Sequence, residues 1–143
     1  MVHALSDPTL RLFSICAAIL TINMLFKATL IGVLRNVRGV HISPEDYRFL
    51  GRPVRPPDEL IERARRAHQN DVENILPFFA IGLLLALSGI SFTVACWLIV
   101  VFTASRLLHT VFYLGALQPW RSLIYTVGAV DLGVMAVLLL WRA

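Results

Sequence analysis

Four stretches of this chain are apolar over the length that a lipid bilayer demands, and that requirement limits the fold more than anything else in the sequence. About 20 mostly apolar residues, rising about 1.5 Å each, cross a hydrocarbon core of about 30 Å. Leu10 to Leu34 is the first such span, interrupted by Lys27. The second runs from about Asn70 to Leu87, purely apolar only from Ile75, so its polar beginning lies in the headgroup region or in a protein-lined cavity. Phe92 to about Leu114 is the third and carries Arg106 and His109; Leu123 to Leu140 is the fourth, bracketed by Trp120 and Trp141 as interface anchors. The expected fold is an all-α integral membrane protein, a four-helix transmembrane bundle within a single membrane domain spanning 1–143.

Composition agrees. Hydrophobic residues make up 57% of the 143 residues, above the roughly 45–50% of soluble domains, and mean hydropathy is +0.72. Only 15% of residues are charged, and they are bunched. The net charge of +4 gathers on no soluble basic face, so it reads as membrane topology and not as a nucleic-acid surface. Cys16 and Cys96 sit in apolar runs without C-x-x-C spacing and read as small buried hydrophobes. The N-terminal run follows Asp7-Pro8 without a basic flank or a small-residue cleavage site, and reads as a retained span.

Residues 35–66 form the one substantial polar stretch, holding eight of the thirteen basic residues and four of the seven prolines. The positive-inside rule places this loop in the cytoplasm and both termini opposite. Ser43-Pro44-Glu45-Asp46 predicts a helix start with Ser43 as N-cap, and Pro56-Pro57-Asp58-Glu59 predicts another. That second helix is expected to continue through Ile61, Arg66 and Glu73 into the membrane, with a kink at Pro77.

At 100° per residue, Arg63, Arg66, Asn70 and Glu73 fall within an arc of about 80° on the helix that begins near Asp58. Arg106, His109 and Tyr113 share a face of the third span, and Arg121, Ser122 and Tyr125 begin the fourth. The topology brings all three polar stripes to one membrane face, and ionisable groups at membrane depth default to a functional reading. The alternative is structural: arginines anchoring to lipid phosphate, and Glu73, Asp71 and Arg106 as interhelical ion pairs. Lys27, with no evident partner, is expected to snorkel to the interface. Asp131 is expected to make an interhelical or intersubunit hydrogen bond, and His68, off the stripe, is read as structural. Arginines, an acid, an amide and tyrosines suit a small zwitterion with more than one carboxylate. The histidines lack carboxylates at ligand spacing, so no metal is expected.

The run Glu62-Arg63-Ala64-Arg65-Arg66-Ala67-His68-Gln69-Asn70-Asp71-Val72-Glu73-Asn74-Ile75-Leu76-Pro77-Phe78 resembles the signature of the MAPEG superfamily, membrane-associated proteins of eicosanoid and glutathione metabolism. Arg106-Leu107-Leu108-His109-Thr110 with Tyr113-Leu114, then Arg121-Ser122 and Tyr125, resembles the second half of that pattern, and Pro44-Glu45-Asp46 its cytoplasmic loop. The resemblance spans nearly the whole chain. It implies a homotrimer with glutathione held between neighbouring subunits near the cytoplasmic face; the topology is equally compatible with a bacterial inner membrane and the endoplasmic reticulum. By position, Arg35, Arg66, Asn70, Glu73, His109, Tyr113, Arg121, Ser122 and Tyr125 match residues that hold glutathione in the prostaglandin E synthase branch. Arg121 would face the thiol with Ser122 as a donor, and Asp46 matches an acid proposed to assist catalysis there. Gln69 stands where those synthases carry arginine, and Gln118-Pro119 is closer to the microsomal glutathione transferases.

The resemblance therefore implies a glutathione-dependent membrane transferase, with peroxidase activity as an extension, acting on a lipophilic electrophile or lipid hydroperoxide that arrives through the lipid. Two further readings of it are a prostaglandin E synthase-like isomerase and a noncatalytic lipid-binding scaffold. A channel would rest on the embedded charges alone, and one-sided stripes fit a site open at one face better than a pore.

Overall fold

A computed structural model describes residues 6–142, and every structural statement below concerns these. The chain forms α1 (Pro8–Arg38), α2 (Pro44–Phe49), α3 (Glu59–Leu87), α4 (Phe92–Leu114) and α5 (Trp120–Leu140). Four of them, α1, α3, α4 and α5, are long and apolar enough to cross a membrane.

The helix ends follow local chemistry. Asp7 caps α1 by accepting from the Leu10 amide at 2.8 Å, with Pro8 in the first turn where its missing N–H costs nothing. Gly39 ends α1 at φ 63°, a left-handed backbone that a side chain resists. Asp58 accepts from the amides of Leu60 (3.0 Å) and Ile61 (3.1 Å), and α3 then continues through Ile61, Arg66 and Glu73 as the sequence predicted, with Pro77 inside the helix. Ser43 occupies the cap position of α2 and Pro44 follows in its first turn, but the Ser43 hydroxyl makes no capping hydrogen bond, which corrects the expected role. A six-residue helix depends on its neighbours, and here Tyr47 anchors it: the buried phenol takes the His41 amide at 3.0 Å.

α3 and α4 form the centre of the bundle. α1 packs on one side of this pair and α5 on the other, and α1 and α5 do not touch each other among the described residues. Phe78 of α3 stacks on Phe102 of α4 with ring centres 4.3 Å apart, and Phe13 of α1 packs against Phe78 at 5.7 Å. Gly82 permits that approach: a Cβ there would lie 2.8 Å from the Phe13 ring. Cys16 is buried in this core and Cys96 half-buried, both as free thiols. Outward, Ile22, Leu25, Trp97, Val130, Val137 and Leu140 present bare apolar surface. Such a belt is incompatible with water and natural in lipid. The helical hydroxyls conform to the same solvent. Ser14, Thr21, Thr103 and Thr126 each bond the carbonyl four residues earlier, so these four offer no donor to the hydrocarbon.

Lys27 overturns its sequence reading. Its side chain is 0% exposed, ion-paired to the equally buried Asp71 of α3, and donates to Thr110 Oγ1 of α4 at 2.8 Å. Asn23 completes the cluster with donations to Asp71 Oδ2 and Thr110 Oγ1, both at 3.1 Å. A lysine whose charge is met by Asp71 and which also donates to Thr110 inside the protein gains nothing by reaching for the interface. Asp131 is buried on α5, but its Oδ2 has no partner among the described residues, so the expected interhelical hydrogen bond is not made to that oxygen within the chain.

Candidate functional site

The antiparallel order of the long helices puts the end of α1, the first turns of α3, the end of α4 and the start of α5 at one end of the bundle. Two adjoining clefts open there. The first, of about 350 Å³, is lined by Arg65, Arg66, Gln69, Asn70, Glu73 and Tyr113. The second, of about 240 Å³, is lined by Asn70, His109, Tyr113, Arg121, Ser122, Tyr125 and Thr126. Asn70 and Tyr113 belong to both, so the clefts form one continuous site between α3, α4 and α5.

Its residues are held from behind. Asn70 Oδ1 accepts from Arg106 Nη1 at 3.2 Å. His109 is buried, with its ring edge-on to Tyr113 at 5.3 Å and tilted toward Tyr125 at 6.1 Å. The Arg121 guanidinium carbon lies 4.6 Å from the centre of the Tyr113 ring. In the amide orientation that satisfies both ends, Gln118 accepts from Arg121 Nε at 3.1 Å and donates to Ser122 Oγ at 3.1 Å. Glu73 accepts from Gln69 Nε2 at 3.0 Å, and Pro77, one turn on, has no N–H to offer the Glu73 carbonyl.

Charge in the clefts is unspent. Among the described residues neither Arg66 nor Arg121 has a carboxylate partner, whereas the neighbouring Arg63 and Arg65 are engaged by Glu59 and Glu62. Two guanidiniums without a carboxylate partner, a carboxylate, an amide and phenol rings make a receptor for an anionic group with a nearby cation. Asp58, below the site at the head of α3, is held under the usual carboxylate range chiefly by its hydrogen bond from Arg38.

The structure thus brings together Arg66, Asn70, Glu73, His109, Tyr113, Arg121, Ser122 and Tyr125. It does not bring in Arg35 or Asp46. Arg35 lines a separate crevice of about 460 Å³ under α2, beside His41, Tyr47, Arg55 and Ile61. Asp46 is exposed on α2 and lines neither cleft. Arg63 leaves the expected stripe for its ion pair with Glu59. Sequence reasoning missed Arg65 and Thr126 as lining residues, although each lies one residue from a member of a polar stripe. It also missed the inward face of Lys27. The signal was present in the spacing: Thr9, Phe13, Cys16, Leu20, Asn23, Lys27 and Ile31 recur at three and four residues, the row of a buried helix face.

Comparison with known proteins now discriminates among chains that could build such a site. The profile of the MAPEG family matches residues 13–141. The chain belongs to the MAPEG family. Among its MAPEG relatives, prostaglandin E synthase of Macaca fascicularis is 37% identical over 142 residues, covering 98% of this chain and 93% of the relative. Prostaglandin E synthase of Homo sapiens is 37% identical over 141 residues, 97% of this chain and 93% of the relative. Microsomal glutathione S-transferase 1 of Sus scrofa is 39% identical over 122 residues, 81% of this chain and 79% of the relative. Family and helices together make this MAPEG chain an integral membrane protein.

Proposed function

We propose that this protein is a glutathione-dependent membrane transferase, with peroxidase activity as an extension, acting on apolar electrophiles or lipid hydroperoxides supplied by the bilayer. The observation that carries the reading is the pair of carboxylate-free arginines, Arg66 and Arg121, facing one continuous cleft with Asn70, Glu73 and Tyr113. Relatives named microsomal glutathione S-transferase 1 support it.

Glutathione supplies the nucleophile, a thiol. Arg66 is placed to grip a carboxylate, and Glu73 to accept from an ammonium. A free thiol of pKa about 8.5 is only a few per cent ionised at neutral pH, so the site has to favour the anion. Arg121 supplies the positive charge and Ser122 a hydroxyl donor beside it. Lowering a thiol pKa by about 2 units requires about 2.7 kcal/mol of differential stabilisation, within reach of one cation and one donor in a partly dry cleft. The nucleophile belongs to the cosubstrate, consistent with two cysteines that lie away from the clefts.

The whole chain then acts as one membrane domain. Arg35 and Asp46, remote from the clefts of their own chain, serve a neighbouring copy in a homotrimer, with the site toward the cytoplasm. A second reading, a prostaglandin E synthase-like isomerase with glutathione regenerated, draws on relatives of that name matched over 98% and 97% of this chain.

The test is titration of the detergent-purified protein with glutathione, following melting temperature and thiolate ultraviolet absorbance together. Binding raises the melting temperature as mass action requires, and the absorbance reports ionised sulfur. Product analysis with a prostaglandin endoperoxide and with an apolar electrophile separates the isomerase from the transferase. A protein unmoved in both signals would be the lipid-binding scaffold.

A further inference from the structure

Beneath the clefts lies a cation that lines neither of them. Arg106 is the largest fully buried side chain described, 0% exposed, on the face of α4 between α3 and α5. Its Nη1 donates to Asn70 Oδ1 of α3 at 3.2 Å, while its guanidinium carbon sits 5.6 Å from the Tyr125 ring centre of α5 and 5.8 Å from that of Phe102. Nε and Nη2 are buried without a hydrogen-bond partner among the described residues. The α5 backbone makes room for it at Gly128, where a Cβ would come within 3.0 Å of Nη2.

A buried guanidinium with two unmet donors is costly, so its retention calls for an anion or an electrostatic task. The carboxylate that acts on it is Asp71, but Asp71 engages Lys27 from α1 and Asn23 through Oδ2, and its Oδ1 makes no hydrogen bond to Arg106. Asp131, one turn beyond Gly128 on α5, forms no ion pair with Arg106. Lys27 on α1, Asp71 and His68 on α3, His109 on α4, and Tyr125 and Arg121 on α5 are the titratable groups around it. Lys27 and Arg106 against Asp71 leave one positive charge in excess, in a place where water screens little.

We infer that Arg106 is a positioning residue of the site: a buried, uncompensated cation that sets Asn70 and Tyr125 in place and supplies positive potential under the anionic ligand, with the Lys27–Asp71 pair keeping it uncompensated. It acts through Asn70 and Tyr125 and through its field, without forming a wall of either cleft. The inference rests on the glutathione reading for the identity of that anion.

The experiment measures the apparent pKa of the bound glutathione thiol, from thiolate absorbance against pH, in the full-length protein in detergent, together with the KM for glutathione and the melting temperature. Arg106→Gln is expected to raise that thiol pKa by about one unit, about tenfold less thiolate at a pH below it. Arg106→Lys keeps the charge and loses the fork, so it leaves the thiol pKa within about 0.3 units while raising KM severalfold. Should Arg106→Gln fail to fold, Lys27→Gln, which removes the charge but keeps an amide donor for Asp71 and Thr110, reads the same quantity from a residue outside both clefts. It leaves the Asp71 charge to compensate Arg106, and the thiol pKa rises. A merely structural role would lower the melting temperature and leave the thiol pKa of the folded fraction unmoved. An unmodified protein with no thiolate signal overturns the glutathione reading; a clear signal whose pKa is unchanged by these variants overturns the role of Arg106 alone.

Discussion

The Arg121 guanidinium rests 4.6 Å from the centre of the Tyr113 ring, a cation at the start of α5 braced on an aromatic near the end of α4. The short connection between the two helices makes the contact local. Its energy, of order 1 kcal/mol at a half-exposed site, is small for stability but enough to select one rotamer of a long side chain. Ser122, the next residue, faces the same cleft, so the charge and the hydroxyl are delivered together.

Removing the charge tests this directly. Arg121→Gln is expected to lower turnover with glutathione and an apolar electrophile by about 100-fold, the scale of losing one developing-charge stabiliser, while the melting temperature stays near that of the unmodified protein. Tyr113→Leu keeps the charge but releases the side chain, so KM for glutathione should rise more than kcat falls. Steady-state kinetics on both variants checks the pair; equal kcat in Arg121→Gln removes Arg121 from the reaction.

The buried Lys27–Asp71 pair predicts a non-additive pattern. Lys27→Met leaves a carboxylate without its cation inside the bundle and should cost about 3–5 kcal/mol, whereas Lys27→Met combined with Asp71→Leu replaces both charges with apolar groups and should recover most of that. Unfolding in mixed detergent micelles measures the cycle. Additive losses would show that the two side chains do not depend on each other.

Two glycines should separate stability from activity. Gly82→Ala drives a methyl into the Phe13 ring, a rigid neighbour, and is expected to destabilise by about 1–3 kcal/mol. Gly128→Ala meets Ser105 Oγ at 2.5 Å and Arg106 Nη2 at 3.0 Å, displacing the serine from its 2.7 Å bond to the Phe102 carbonyl and shifting the arginine behind Asn70. Its main effect should appear in glutathione KM, with a smaller drop in melting temperature. Calorimetry beside kinetics tells the two apart.

Asp58 gives the first turn of α3 a pH dependence of defined sign. Its folded pKa is depressed below the ordinary 3.8, mainly by the Arg38 hydrogen bond. The stabilisation is therefore complete above that ordinary value and is lost as pH falls through the folded pKa. Hydrogen exchange at the capped amides of Leu60 and Ile61 should accelerate in that acid window. In Asp58→Ala, which removes the acceptor, the exchange should be fast already at neutral pH relative to the unmodified protein and insensitive to acid there.

The spans, the start of α3 at Asp58 and the meeting of three polar stripes were legible because each depends on chain-local quantities: apolar length, caps and helical spacing. Arg66, Asn70 and Glu73 had to face one way on any α-helix, and antiparallel topology then carried them to Tyr113 and Arg121. Lys27 was misread because a lone cation in an apolar span does not announce which helix packs beside it, although its place in the three-and-four row of buried α1 positions did mark it as inward. Ser43 occupied the predicted cap without bonding, since a cap hydrogen bond depends on a rotamer that composition does not specify. Arg35 and Asp46 entered by likeness to other proteins, and a single chain has no geometry that brings them to the clefts.

The arrangement of α1 and α5 on opposite flanks of the α3–α4 pair has a bearing on biosynthesis. A ribosome delivers α1, α3 and α4 first, and these three already contact one another, so α5 docks last without prying anything apart. Arg121, Ser122 and Tyr125 all ride on that final helix. A nascent chain interrupted before it thus carries Arg66, Asn70, Glu73, His109 and Tyr113 without Arg121, Ser122 and Tyr125, and the second cleft of one copy takes shape only when α5 settles against its neighbours.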